Sequence, residues 1–406
     1  MRIILYTGKG GVGKTSIAAV SACKLAKDGK RVLIMSTDAA HSLGDSFDVK
    51  LSREPRTVAV YQNGEQAADG VMAVSGVGCV DAMEIDVVYE SEQTWKNMQD
   101  YMKRMLTARG EGGIEAEELL VFPGMEELFS LFKILDFYQT GEETYDVIIV
   151  DCAPTGETLS LLKYPEMLSD FMEKILPIKR KGIKTAGPAV EKIMKIPMPD
   201  ESFFDDLELV MKKMEELQNL LLNKEVVSLR IVTTPEKIVI KEAKRNFTCL
   251  HLYNYNVDAI MVNRIYPQKA MEGYFSKWIE MQKEGLQEIQ ESFSEVPKFY
   301  LELQDKELRT LSVLEEIAEQ LYGETEPVDV LFNHEIFTLT EEEDASVLKI
   351  YLPFAEKDEL DLRQTENELL IGVKNERRSY PLAKHLLDKA IAGAAFEDGY
   401  LKVRFQ

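Results

Sequence analysis

One eight-residue segment near the start of the chain limits its fold more than any other. Gly8-Lys9-Gly10-Gly11-Val12-Gly13-Lys14-Thr15 has the glycine-to-glycine-lysine-threonine spacing of a phosphate-binding P-loop. It follows Ile3-Ile4-Leu5-Tyr6, an apolar run that reads as a buried strand. It opens a segment from Ser16 to Lys27 that reads as a helix. Glycines let the backbone curl until successive amide hydrogens face one centre, and the helix start adds its own unpaired amides. In that setting Lys14 would meet the β- and γ-phosphates and the Thr15 hydroxyl would bind Mg²⁺. Lys9 is the unusual residue, a second lysine at a point where reach to its own phosphates is awkward. A glycine-rich turn with two solvated lysines is the plainer alternative, and the strand-loop-helix setting weighs against it.

The pattern continues downstream. Arg31-Val32-Leu33-Ile34-Met35-Ser36 reads as a second buried strand leading to Asp38. Segments from about Gln93 to Arg109 and around Glu126 to Phe137 read as helical, on either side of the glycine-rich Gly110 to Gly113. Tyr145-Asp146-Val147-Ile148-Ile149-Val150-Asp151 is an apolar strand capped by an acid. Arg230-Ile231-Val232-Thr233-Thr234 and Ala259-Ile260-Met261-Val262-Asn263 supply two more. Buried strands alternating with helices predict an α/β fold, a mostly parallel sheet flanked by helices. Ligands in such sheets sit at the carboxyl ends of strands, where Gly8, Asp38, Asp151 and Asn263 all fall.

The pattern breaks near Glu324-Thr325-Glu326-Pro327. Beyond it the chain alternates with period two, through Phe337-Thr338-Leu339, Val347 to Leu352, Glu368 to Lys374 and Tyr400 to Phe405. Short strands with turn signals at Asn367, Asn375 and Asp398-Gly399 predict a small all-β sandwich. Lys384 to Lys389 reads as one helical turn or a loop. The expected domains are residues 1–325 for the P-loop part and 327–406 for the sandwich. The P-loop half has no tandem copy, so each chain carries one nucleotide site.

Composition narrows the function. A net charge of −22 leaves no basic stripe for nucleic acid. With 45% hydrophobic residues the 406-residue chain can build an ordinary core. No run of roughly twenty apolar residues is present to span a bilayer. The start runs from Met1-Arg2 directly into the first strand, without space for a signal peptide. Cys23, Cys79, Cys152 and Cys249 are isolated, so no local zinc clamp or redox pair is encoded. A reduced, cytoplasmic protein is the expectation.

Asp151, at a strand end, is placed to hold Mg²⁺ or one of its waters, with a cap on the following turn as its other reading. Asp38, at the end of the neighbouring strand, could sit in the same shell. His41, Ser42 and Asp45 lie in a polar loop leaving that site. Asp45 could orient or deprotonate an attacking water, although acidic loop residues are more often simply solvated.

Taken together, Gly8 to Thr15, Asp38-Ala39-Ala40-His41-Ser42-Leu43-Gly44-Asp45 and Asp151-Cys152-Ala153-Pro154-Thr155-Gly156-Glu157-Thr158-Leu159 resemble the ArsA family. That family includes arsenical pump-driving ATPases and Get-pathway factors that target tail-anchored proteins. Pro123 to Glu127, Val262 to Pro267 and Leu308 to Gly323 resemble further family segments, so the likeness covers roughly residues 1–325. The end piece, with Leu352-Pro353-Phe354, Arg377-Arg378 and Phe396-Glu397-Asp398-Gly399, resembles the α-crystallin-like (small heat-shock) domain of some bacterial and plastid members.

The resemblance implies ATP and Mg²⁺ as cofactors and a homodimer with nucleotide between its copies. Lys9 matches the signature lysine that crosses to the partner's nucleotide. Asp45 matches the water-activating switch I aspartate, Asp38 and Asp151 the carboxylates near Mg²⁺, and Asn263 the adenine-reading asparagine. Ala39, Cys152 and Glu157 depart from the usual proline, threonine and histidine. Glu157 either adds negative charge near the phosphates or faces a client surface.

Two branches of the family compete. Arsenite capture needs thiolates close together, and nothing in the spacing of the four cysteines gathers three of them. Against this, Met167 to Met198 and Phe203, Phe204, Leu207, Met211, Met214 and Leu217 make a methionine-rich, helically spaced stretch. Such a stretch is ordinarily core or dimer contact. Its position after switch II corresponds to the family's client-binding helical subdomain, expected here at about 90–130 and 164–222. Methionines adapt to varied apolar partners. The expected clients are hydrophobic segments such as those of tail-anchored proteins, with a membrane receptor as a further partner. A chaperone module that does not use its ATPase core is a third reading, which the intact Lys14, Thr15, Asp45 and Asp151 oppose.

Overall fold

Runs of branched apolar residues become the central strands because a strand covered on both faces excludes water from every position. The computed structural model describes residues 1–37, 42–62, 65–66, 77–108, 125–141, 144–152, 199–271, 273, 276–342 and 345–406. Asp38 to His41, Gly110 to Gly113 and residues 153–198, including Glu157 and Met167 to Met198, lie outside the described residues.

Among the described residues the strands are β1 (Arg2–Thr7), β2 (Arg31–Ser36), β3 (Arg56–Gln62), β4 (Glu65–Gln66), β5 (Gly78–Glu84), β6 (Val147–Asp151), β7 (Val227–Thr233), β8 (Val257–Ile265) and β9 (Lys298–Glu302). They form one sheet in the order β4-β3-β5-β2-β6-β1-β7-β8-β9. From β5 to β9 every pairing is parallel, and β3 joins antiparallel to β5 at one side. Sequence reading finds β1, β2, β6, β7 and β8 as apolar runs. It misses β3, β5 and β9, whose polar residues interrupt the signal.

Helix α1 (Lys14–Lys27) lies under this sheet and is buried nearly all round, with Ile17, Ala18, Ala19 and Ala22 fully enclosed. Its alanines favour the helix and let neighbouring elements approach closely. It packs in one apolar cluster with Leu314, Ile317, Ala318 and Leu321 of α8 (Leu311–Tyr322). The hydroxyl of Ser21 lies 2.7 Å from both Tyr6 and Tyr322, locking β1, α1 and α8 together. The short helix α2 (Leu43–Phe47) follows β2.

The described residues of Ile85–Glu143 and Ser160–Leu220 form a compact unit of their own. In this second unit run α3 (Val87–Ala108), α4 (Met125–Thr140) and most of α5 (Glu201–Leu222). Helix α3 breaks at Trp95, whose backbone leaves the helical region at φ −142° and ψ 29°. The carboxylate of Asp206 meets the freed amides, accepting from Asn97 N at 2.8 Å and Met98 N at 3.3 Å. It thus caps the second half of the helix from outside. On α5, Phe204 and Leu207 pack with Phe203, Met211 and Met98, so this described part of the methionine-rich stretch is core.

Two further helices flank the sheet, α6 (Lys237–Leu252) between β7 and β8 and α7 (Ser276–Ser292) before β9. After α8 the chain enters an antiparallel sandwich. One sheet runs in the order β10-β11-β16-β15, from β10 (Phe337–Glu342), β11 (Ala345–Tyr351), β15 (Ile391–Glu397) and β16 (Tyr400–Phe405). The other has β12 (Leu360–Gln364), β13 (Glu368–Val373) and β14 (Glu376–Pro381) in order. The expected turn near Lys384 is a short 3₁₀ turn over Lys384–Leu386.

The sandwich is tied to the sheet domain by the end of α6 and by the linker. Arg378 donates to the Leu252 carbonyl at 2.8 Å and Tyr253 OH to the Arg377 carbonyl at 3.0 Å. Phe354 sits against Phe247 and Phe293 with ring centres 5.7 and 5.2 Å away. Beneath the linker, Arg230 is fully buried and paired with equally buried Asp258 at 3.0 Å. Its guanidinium also donates to the Pro327 carbonyl at 2.7 Å and to Tyr6 OH at 3.2 Å. Burial opposes the Arg230 charge, but Asp258 together with Tyr6 and Tyr322 outweighs it, so the proton is held more firmly than usual.

Candidate functional site

The P-loop joins β1 to α1 and is shaped by two close approaches. At Gly8 a Cβ would stand 2.3 Å from the Val232 carbonyl oxygen, so only glycine lets the loop pass β7. At Gly13 the backbone is left-handed, φ 93°, and a Cβ would meet Asn263 Nδ2 at 2.4 Å. Gly13 is the N-cap of α1 and makes no side-chain cap, and the first turn holds no acidic residue. Among the described residues no carboxylate is recorded on the amides at the start of α1. Combined with the helix dipole, this arrangement suits a phosphate group.

Lys14 is buried, with Nζ 3.5 Å from the Lys9 carbonyl, so its charge lies over the loop. The Thr15 hydroxyl is 3.2 Å from that of Ser42, which brings the expected magnesium-binding residue to the segment entering α2. Asp45 occupies α2 and is exposed. Its helix is anchored on both sides, by Gly44 N donating to Glu84 at 3.1 Å and by Asp48 pairing with Arg309 at 2.6 Å.

Asp151 ends β6 fully buried, in register with Tyr6 of β1 and Ser36 of β2. Ser36 donates to its Oδ2 at 3.4 Å. The Cys152 thiol is pushed up to about 12, chiefly by burial and then by Asp151, with Lys14 opposing. A buried carboxylate, a threonine hydroxyl and uncapped helix amides form a donor set suited to a nucleotide with Mg²⁺.

Asn263, expected at the adenine, also contacts the P-loop itself. Its Nδ2 donates to the Val12 carbonyl at 2.9 Å, and its Oδ1 accepts from Arg264 N at 2.8 Å. The amide thus braces the loop from the end of β8, and Gly13 leaves the space it fills. Lys9 departs from its neighbours. Its Nζ lies 3.6 Å from Glu242 Oε2 on α6, with the two side chains 34% and 29% exposed. Sequence reading finds neither Glu242 nor Glu84, because both reach the site only through the folded strand order. Asp38 lies outside the described residues.

A P-loop closing on α1 at the edge of a mostly parallel sheet defines a nucleotide-binding protein of the α/β class. Residues 1–323 match the anion-transporting ATPase family of ArsA type, and residues 343–405 match an HSP20-like domain found in ArsA. The chain belongs to the ArsA ATPase family, and that membership implies ATPase activity. It is similar to a putative arsenical pump-driving ATPase 1 of Aquifex aeolicus, 35% identical over 95% of each chain. It is 33% identical to a putative arsenical pump-driving ATPase of Prosthecochloris vibrioformis, over 100% of this chain and 96% of the relative. ATPase GET3C of Arabidopsis thaliana is 31% identical over 67% of this chain and 68% of its own length. Among the described residues no helix is long and apolar enough to cross a membrane.

Proposed function

We propose that this chain is a Mg²⁺-dependent ATPase working as a homodimer, with ATP held between two copies and its cycle coupled to binding of hydrophobic protein segments. The observation that carries this reading is the division of labour between two lysines in one loop. Lys14 fills the cradle, while the Lys9 side chain leaves it for α6. A lysine built into a P-loop but directed away from its own phosphates is suited to those of a facing copy. There it would supply positive charge as an arginine finger does.

The remaining residues have separate tasks. The P-loop amides and Lys14 bind and orient the phosphates. Thr15 and Asp151, with Asp38, would hold Mg²⁺, which neutralises phosphate charge when bound. Asp45, exposed on α2, orients a water and takes its proton. Asn263 keeps the loop in shape and exchanges its bond to Val12 if it reads the adenine. Hydrophobic segments, including those of tail-anchored proteins, are the proposed clients, and a membrane receptor would accept them.

The names of the bacterial relatives favour a second reading, an arsenite-stimulated pump subunit. Cys23, Cys79, Cys152 and Cys249 are each buried, on α1, β5, the end of β6 and α6. Burial pushes the Cys79 thiol up to about 11 and that of Cys152 to about 12, and raises Cys23 further. Soft-ion capture uses thiolates, so these positions disfavour it.

The test uses Asp45→Asn in the full chain. ATP binding should persist while turnover falls about 10²-fold or more, as for loss of a general base. Undiminished turnover would remove Asp45 from the mechanism. When this variant is trapped with ATP in cells, copurification of proteins with a single hydrophobic helix supports the client reading. Arsenite-stimulated turnover with none of them enriched would favour the pump.

A further inference from the structure

We infer that Glu242 is a positioning residue for Lys9, holding the lysine within its own chain until a second copy arrives. The inference rests on the proposed role of Lys9 across a dimer. The two residues are 233 positions apart in sequence, and the sheet order brings them together. Strand β7 lies beside β1, so the loop after β1 and the helix after β7 emerge at the same edge. Helix α6 therefore presents an acid to the first lysine of the P-loop, at 3.6 Å.

For Lys9 to reach a triphosphate on a facing copy, its ammonium must swing off Glu242, which stays on α6. In a chain of net charge −22, two copies approaching each other already repel. Glu242 adds a cost at that encounter, since Lys9 must abandon a carboxylate before it contributes to closure. The phosphates carry more charge than a single carboxylate, so nucleotide can win the exchange. The pair is part-exposed, which keeps its strength in the range that nucleotide binding can overturn.

Helix α6 also links this pair to the sandwich. Glu242, Asn246 and Cys249 follow at i, i+4 and i+7, one face of the helix. That face lines a cavity of about 390 Å³ whose far wall is Phe354, Val373 and Lys374 of the sandwich. The residue holding Lys9 therefore also lines the cavity between α6 and the sandwich. The sandwich fixes the helix from which Lys9 is restrained.

The experiment compares full-length protein, Glu242→Gln, Lys9→Ala and the double variant with ATP and Mg²⁺. Assembly is followed by sedimentation, and turnover is measured across protein concentration. Glu242→Gln should lower the protein concentration for half-maximal assembly about two- to five-fold, the range of a part-exposed ion pair. Turnover at low protein concentration should rise by a similar factor, with the gain narrowing as protein is concentrated. In the Lys9→Ala background the same glutamine should lose most of that gain. Unchanged or weaker assembly of Glu242→Gln, or a gain that persists undiminished without Lys9, overturns the role of Glu242. Full turnover by Lys9→Ala instead overturns the dimer role of Lys9 itself.

Discussion

Two polar clusters share strands β1 and β7, and they are built on opposite plans. At the loop edge the groups are under-committed: uncapped amides at the start of α1, a lysine over its own loop, an exposed Asp45. Around Arg230 each guanidinium nitrogen is engaged, by Asp258, Tyr6 and the linker carbonyls. Both clusters bring charge to the sheet. One keeps capacity for a ligand and the other spends it on holding the chain together. Their contrast locates function more reliably than charge alone, because an arginine buried in a strand is chemically as conspicuous as a P-loop lysine.

The contrast is broken most forcibly at Arg230. Arg230→Met should destabilise the protein by about 3–5 kcal/mol, since it leaves the Asp258 carboxylate buried without its cation. The urea midpoint reads this, and adding Asp258→Leu should recover much of the loss. If Arg230→Met melts like the parent, the cluster is not the fastening described. Lys14→Ala should behave the other way. Turnover should drop about 10²–10³-fold, the cost of losing a preorganised charge at the transferring phosphate. The urea midpoint should change by less than the equivalent of about 1 kcal/mol. A large loss of stability would erase the distinction between the clusters.

The smallest effect sharpens the comparison by adding pH. His251, near the end of α6, is held down to about 3, first by burial, with His334 and Lys224 adding to the effect and the Tyr351 carbonyl opposing it. Burial lowers His334 as well, against Glu295. The unfolded chain takes up protons below about pH 6.5 that the folded chain refuses, so stability falls as pH drops from there towards 3. Between pH 7 and 5 the His251 contribution is about 2 kcal/mol. The urea midpoint should fall over that interval in the parent and less in His251→Phe. An equal fall in both would assign the acid sensitivity elsewhere.

Much of the fold was legible because five central strands are uninterrupted apolar runs and the P-loop states its own setting. β5 is not legible as an apolar run because Asp81 interrupts it, with one carboxylate oxygen accepting from Tyr145 OH at 2.8 Å. β9 is an edge strand whose apolar run, Phe299-Tyr300-Leu301, is too short to stand out between Lys298 and Glu302. At the site, Lys14, Thr15 and Asp151 were legible from local spacing. The brace by Asn263 and the pairing of Lys9 with Glu242 were not, since each depends on which strand lies beside β1. Arg230 did leave a trace, a lone cation in an apolar strand with Asp258 beginning the next, but a lone charge does not announce its partner.

The break at Glu324 to Pro327 looks in sequence like a place to cut. The folded chain makes it a poor one. Shortening the protein there would strip Phe354 from Phe247 and Phe293, remove Arg378 from the Leu252 carbonyl and withdraw the linker carbonyl that receives Arg230. A fragment ending at that boundary would carry a newly wetted aromatic patch and a poorly satisfied buried cation. Its insolubility would report the wound left by the cut, and its activity would describe a damaged helix α6 rather than an independent motor.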